Sequence, residues 1–175
     1  MSHLKITKPL ENEYPSYFKN YISKISEDDL IPLLEKNGET TVAFFRSIPE
    51  EKHNFRYAEG KWSVKEILGH LIDAERIFIY RAMRFSRADK TELAGFDENT
   101  YVPNSNAANR NMTDMIEEYK TVRNSSVAFY KSLSEPMTLL QGTANGRLVS
   151  VRALGFFAVG HEIHHIQIVT ERYLG

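Results

Sequence analysis

The sequence predicts an all-α protein: a four-helix bundle with an N-terminal arm and long inter-helix loops. Three observations carry this reading. Four windows repeat apolar residues at the spacing of a single helical face. Each window runs for about twenty residues, a length typical of bundle helices. Ser caps and Pro or Gly breaks bracket the windows.

Residues 1–26 are polar, contain Pro9 and Pro15, and read as an arm with one short helix around Tyr17–Ile22. The bundle is assigned to residues 27–175. Ser26 precedes Glu27, Asp28 and Asp29, an acidic first turn suited to a helix N-terminus. The first long helix is expected from Glu27 to Ile48, with the stripe Leu30, Leu34, Asn37, Thr41, Phe44, Phe45 and Ile48, and Pro49 stops it. Ser63-Val-Lys-Glu66 is a capping box and opens a second helix to about Arg87. Its apolar face is Val64, Ile67, Leu71, Ala74, Phe78, Ala82 and Phe85. A long loop, Ala88–Asn111, follows, and loops of this length are often functional. A third helix is expected over Thr113–Ser134, ended by Pro136. Asn145-Gly146 signals a turn in an irregular connection or small hairpin. Ser150 then caps the last helix, Val151–Tyr173. The long second and third connections leave the order of helices around the bundle open.

The formal net charge is -1 and no block of like charges stands out, so nucleic acid is not an expected partner. No apolar run reaches a membrane span, and the N-terminus lacks a signal-peptide core; a soluble cytoplasmic protein is expected. There is no cysteine, which excludes disulfides, thiolate ligands and a cysteine nucleophile. Any metal must be held by His, Asp or Glu.

Three of the six histidines crowd the last helix in Gly160-His161-Glu162-Ile163-His164-His165. His161 and His165 are one helical turn apart, on a face shared with Leu154, Ala158 and Ile168. They replace apolar residues in a stripe that should look inward. His164 lies to the side, and spacing does not exclude it as a ligand. His70, at the edge of the second helix's stripe, is the best candidate for a third ligand; His3 and His53 fall in irregular segments. A His-xxx-His pair is a weak motif by itself, and a single core histidine is more often structural.

Several segments together resemble the DinB-like (YfiT-like) superfamily. Lys61-Trp62-Ser63-Val64-Lys65-Glu66-Ile67-Leu68-Gly69-His70-Leu71 is similar to its first signature, with a metal-binding His after Trp-Ser. Leu93-Ala94-Gly95-Phe96-Asp97-Glu98-Asn99 is similar to the segment that follows the second helix. Gly160 to Ile168 is similar to its last signature, with metal-binding His at the first and fifth positions of the histidine span; Ile166-Gln167 stands where the family has Arg-Gly-Gln. The resemblance implies metal ligands His70, His161 and His165, an open coordination position, and frequent homodimers. It also implies activity as a thiol-dependent transferase or isomerase, or as a metal-dependent hydrolase.

Three neutral imidazoles leave a divalent ion (zinc, nickel, iron or manganese) its full charge and room for water or substrate. The expected function is activation of a low-molecular-weight thiol or of water against a small electrophile. The alternative is a non-catalytic bundle that binds a metal or small molecule. Glu75, among apolar positions, reads as a carboxylate paired with an Arg. Glu162 reads as solvated or paired, and Asp73 as a residue that could orient the His70 ring. Asn37 and Thr41 could line a pocket or satisfy each other, and Trp62 reads as packing. A second apolar row on the last helix, Phe156, Val159, Ile163 and Ile166, predicts a homodimer interface unless the arm, with Tyr14, Tyr17 and Phe18, covers it.

Overall fold

The computed structural model describes residues 4–175. Two short 3-10 turns and a one-turn helix α1 (Lys19–Ile22) lead into α2 (Leu30–Ser47) and α3 (Val64–Ser86). A short α4 (Glu98–Asn104) precedes α5 (Met112–Lys131), and α6 (Glu135–Leu139) precedes a hairpin of β1 (Gln141–Ala144) and β2 (Arg147–Ser150). The chain ends in α7 (Val151–Val169) and a π-helical turn, Thr170–Leu174. Both α2 and α3 pack on α5 and α7, so the order around the bundle is α2, α5, α3, α7. The connections from α2 to α3 and from α5 to α7 cross the bundle, whereas the one from α3 to α5 joins neighbours.

α2 begins three residues later than expected, with Asp29 as N-cap. Pro32 explains this. It has no N–H and is accommodated within the first turn of a helix, whereas a start at Glu27 would put its ring against a carbonyl one turn back. The acidic residues before the helix hold the arm instead. Asp28 Oδ1 accepts from Lys8 N at 2.9 Å, and Ile6 O accepts from Leu30 N at 3.0 Å.

The Ser63 capping box forms as read: Glu66 N donates to Ser63 Oγ at 3.3 Å and Ser63 N donates to Glu66 Oε2 at 2.7 Å. Every apolar stripe residue predicted for α3 is buried. The segment after α3 is not the structureless loop expected. Leu93 adds to the hairpin edge, donating to Thr143 O and accepting from Asn145 N, both at 2.9 Å. α4 follows, capped by Asp97, which accepts from Asn99 N at 3.0 Å. The hairpin turn is Asn145-Gly146, with φ of 51° and 68°, the doubly left-handed turn that suits the strand twist. α5 ends at Lys131, before Pro136, which sits instead in the first turn of α6.

α7 is buried continuously from Ala153 to Glu162, as befits a central helix. This corrects the predicted interface. Phe156 and Val159 are fully buried in one cluster with Ile6, Ile22 and Ile25 of the arm, and half-buried Ile163 packs on it. Ile166 is also half-buried. Two of the four residues of the row are thus taken up by the chain's own core and are not available to a partner. Gly160 permits a close approach of the arm to α7: a Cβ there would collide with the Tyr21 carbonyl. Among the described residues no helix is long and apolar enough to cross a membrane.

Candidate metal centre

α3 and α7 pack directly on each other, and His70 faces His161 across that seam. His70 Nε2 lies 3.1 Å from His161 Nε2, which lies 3.0 Å from His165 Nε2. His70, His161 and His165 are thus brought together, with one ring nitrogen of each within 4.8 Å of the others. His164 is not part of the cluster; its ring stands 5.2 Å from that of Tyr21 and lines the same cavity. His53 is elsewhere, with its Nε2 on the Ile48 carbonyl at 3.0 Å. His3 lies outside the described residues.

Burial pushes His70 down to about 4 and, with the neighbouring His70 and His164 charges adding, His165 down to about 3. His161 is lowered as well, first by burial and then by His165 and His70. All three are therefore neutral imidazoles near pH 7. A neutral imidazole nitrogen either carries one hydrogen or offers one lone pair. The Nε2 of His161 meets two other Nε2 atoms, so hydrogen bonding between the rings satisfies only one of those contacts. A shared cation satisfies all three lone pairs. Nitrogens about 2.0–2.1 Å from a tetrahedral zinc are about 3.3 Å from each other, close to the spacing seen. The residues present fit a metal ion.

The cluster is framed by aromatic rings. Trp62 is not merely packing: its ring lies 4.8 Å from that of His70, and it lines the cavity beside the cluster. Tyr173 Oη donates to the Trp62 carbonyl at 2.6 Å and fixes its approach. Phe78, Phe157 and Tyr21 face His161, with centroids at 5.9, 5.8 and 5.7 Å. The cavity they line has a volume of about 400 Å³. Asp73 does not serve His70; it is a partly exposed residue whose Oδ1 lies 3.7 Å from Arg76.

Behind the cluster lies a buried polar network. Arg123 donates Nε and Nη2 to the two oxygens of Glu75, both at 2.9 Å, and Nη2 also to Glu162 Oε2 at 2.6 Å. Glu75 is thus the Arg-paired carboxylate its sequence position suggests. Glu162 is paired and not solvated: it is 2% exposed. It accepts from Thr41 Oγ1 at 2.5 Å, Tyr119 Oη at 2.6 Å and Asn37 Nδ2. Asn37 and Thr41 therefore satisfy Glu162, not each other. Burial raises Glu162, and Arg123 opposes the shift. Next to His161 in sequence, Glu162 ties α7 to α2 and α5 and so helps set the rotation of α7 about its axis.

The fold and this site define a class: a crossed four-helix bundle with three histidines from two helices converging at the mouth of an aromatic-lined cavity. The model of the DinB superfamily matches residues 33–169. The chain belongs to that superfamily. Among solved structures it is similar to YfiT from Bacillus subtilis, described as a probable metal-dependent hydrolase with an unusual four-helix bundle topology. The similarity has a TM-score of 0.73 at 16% identity and covers 94% of this chain and 90% of that one. At that identity it speaks for the fold. No curated protein matches the chain.

Proposed function

We propose that the chain is a metal-dependent enzyme acting on a small molecule, with His70, His161 and His165 as ligands to one divalent ion. The ion would be zinc, nickel, iron or manganese. The observation that carries this reading is the set of three Nε2 atoms packed against one another without enough hydrogens to satisfy them. Superfamily membership and the description of YfiT point the same way.

A divalent ion on three neutral imidazoles supplies a Lewis acid that makes a nucleophile of bound water or thiol near neutral pH. The rest falls to the chain's own side chains. Phe78, Phe157 and Trp62 exclude bulk water from one side of the cluster and offer apolar surface to a substrate body. His164, outside the cluster, adds a polar side chain to the wall of the same cavity. Glu162 and Arg123 hold α7 in the register that presents His161 and His165.

Elemental analysis of wild type and His161→Ala tests the ligand set. We expect one equivalent of metal in the first and a large loss in the second. An assay of thiol or water against small electrophiles, metal-loaded against chelated, tests the chemistry. Equal rates in both would remove the enzyme reading, and ligand binding without turnover across the panel would favour a non-catalytic binding protein.

A further inference from the structure

Among the described residues two arginines are largely buried, and they are treated very differently. Arg123 is 3% exposed and has two carboxylates. Arg81 is 8% exposed and, among the described residues, forms no ion pair. Its one side-chain hydrogen bond among the described residues runs from Nη2 to the Ala94 carbonyl at 2.9 Å. Arginines are seldom buried without a counter-ion, because withdrawing a guanidinium from water without a partner is costly. No fully buried side-chain nitrogen lacks a partner among the described residues, so the remaining N–H groups of Arg81 keep some exposed surface, and Arg81 lines a cavity. That cavity is the one that holds the histidine cluster.

The helix places the two ends in line. His70, Ala74, Phe78 and Arg81 follow at steps of four, four and three residues, one face of α3, and all four line the cavity. Eleven residues of α-helix put the Cα atoms of His70 and Arg81 about 16 Å apart. Side chains on a helix lean toward its N-terminus, the direction of His70 from Arg81, and the guanidinium lies on the cavity wall beside Ala94. The wall between is apolar and aromatic: Ala74, Phe78 and Phe157, with Phe18 stacked on Phe157 at 3.5 Å. The phenol of Tyr17 lies close enough to Arg81 to feel its charge. Glu98, the acidic residue on the cavity wall, is exposed at its rim.

We propose that Arg81 is the recognition site for a carboxylate of the substrate, whose apolar body lies along α3 and whose reacting group reaches the histidine cluster. A single guanidinium with no lysine on the cavity wall suits a monoanion over a phosphate dianion. The position of the reacting group rests on the metal-enzyme reading above; the anion site does not. Arg81 is thus a binding and specificity residue. Its buried charge is a local cost in stability that the ligand's carboxylate offsets.

Trp62 is the sole tryptophan and lines this cavity, so its fluorescence reports binding without a label. The probes are phenylalkanoates of increasing chain length and their uncharged carboxamides. They are titrated into the full chain loaded with zinc, as wild type, Arg81→Gln, Arg81→Lys and His161→Ala. We expect wild type to prefer the best carboxylate over its amide by about tenfold or more. The preference should vanish in Arg81→Gln, recover in part in Arg81→Lys, and survive in His161→Ala. Arg81→Gln should also melt no lower than wild type when free of ligand. A preference that persists in Arg81→Gln but is lost in His161→Ala would put the carboxylate on the metal and overturn the proposal. Equal binding of acid and amide by wild type, or no binding of either, would overturn it as well. If Arg81→Gln melts several degrees lower and wild type shows no preference, Arg81 serves only to hold Ala94. Zinc content measured on the same samples separates the two readings: a chain without metal that keeps the Arg81-dependent preference loses the enzyme reading and retains the anion site.

Discussion

Replacing Arg123 by Met removes the one cation from a buried cluster that contains two carboxylates. Glu75 and Glu162 are 3% and 2% exposed, so water does not take over from the guanidinium. Breaking a buried pair by removing one partner costs about 3–5 kcal/mol. Here one arginine serves two carboxylates and the Leu34 carbonyl, at 3.1 Å, so the upper part of that range applies. That is a large share of the total stability of a domain, about 5–15 kcal/mol. The loss has a signature in pH. Without Arg123, Glu162 keeps its hydroxyl and amide donors but loses the cation that opposes the effect of its burial, so its pKa rises further. The folded variant then binds more protons than the unfolded chain above about pH 4.3, the free glutamate value. Stability of the variant relative to wild type therefore rises as pH falls toward that value. Urea unfolding of both proteins across this range reads the difference; the histidines contribute equally to both and cancel. A penalty below about 1 kcal/mol, or one that does not change with pH, would refute the argument that the triad is a dry, charge-coupled unit.

Other outcomes follow from the same structure. The metal-free protein should lose stability as pH drops. His70 at about 4 and His165 at about 3 are depressed from 6.5, so the unfolded chain binds more protons within that window. Calorimetry on chelated protein should show full stability above about 6.5 and a decline below it, and a flat profile would contradict buried neutral imidazoles. Saturating zinc should raise the melting temperature of wild type at neutral pH and leave His161→Ala nearly unmoved; equal shifts would argue against a site built on His161. Ile163→Asp should lower stability by about 1–3 kcal/mol without changing the sedimentation coefficient, because this side chain packs on its own chain's core. A change in oligomeric state would restore the row as an interface.

The main helices were legible because their signals are local. The Ser63 box, the α3 stripe, the Ser150 cap and the Asn145-Gly146 turn each depend on residues a few positions apart, and each forms as read. The start of α2 was misplaced because the acidic residues before it look like a first turn, while Pro32 carries the stronger constraint. Glu162 read as solvated or paired, with no partner named. Nothing near it in sequence announces Asn37, Thr41, Tyr119 and Arg123, which converge on it from two other helices.

Arg81 shows the same limit from the functional side. Its spacing from His70 placed it on the same face of α3, a signal present in the sequence, but an arginine there reads equally well as a solvated edge. Only the arm, the Leu93–Phe96 segment and the hairpin turn, folded over that face, enclose it in the cavity. The sequence by itself determined the helices, their caps, and the two histidines one turn apart on α7, because these depend on short-range periodicity and local hydrogen bonding. The tertiary structure alone decided that α2 and α3 stand across the bundle from each other, that Phe156 and Val159 are buried within the chain, and which charges are left without partners. Those are matters of long-range packing and desolvation, in which the neighbours that set a side chain's energy lie far away along the chain.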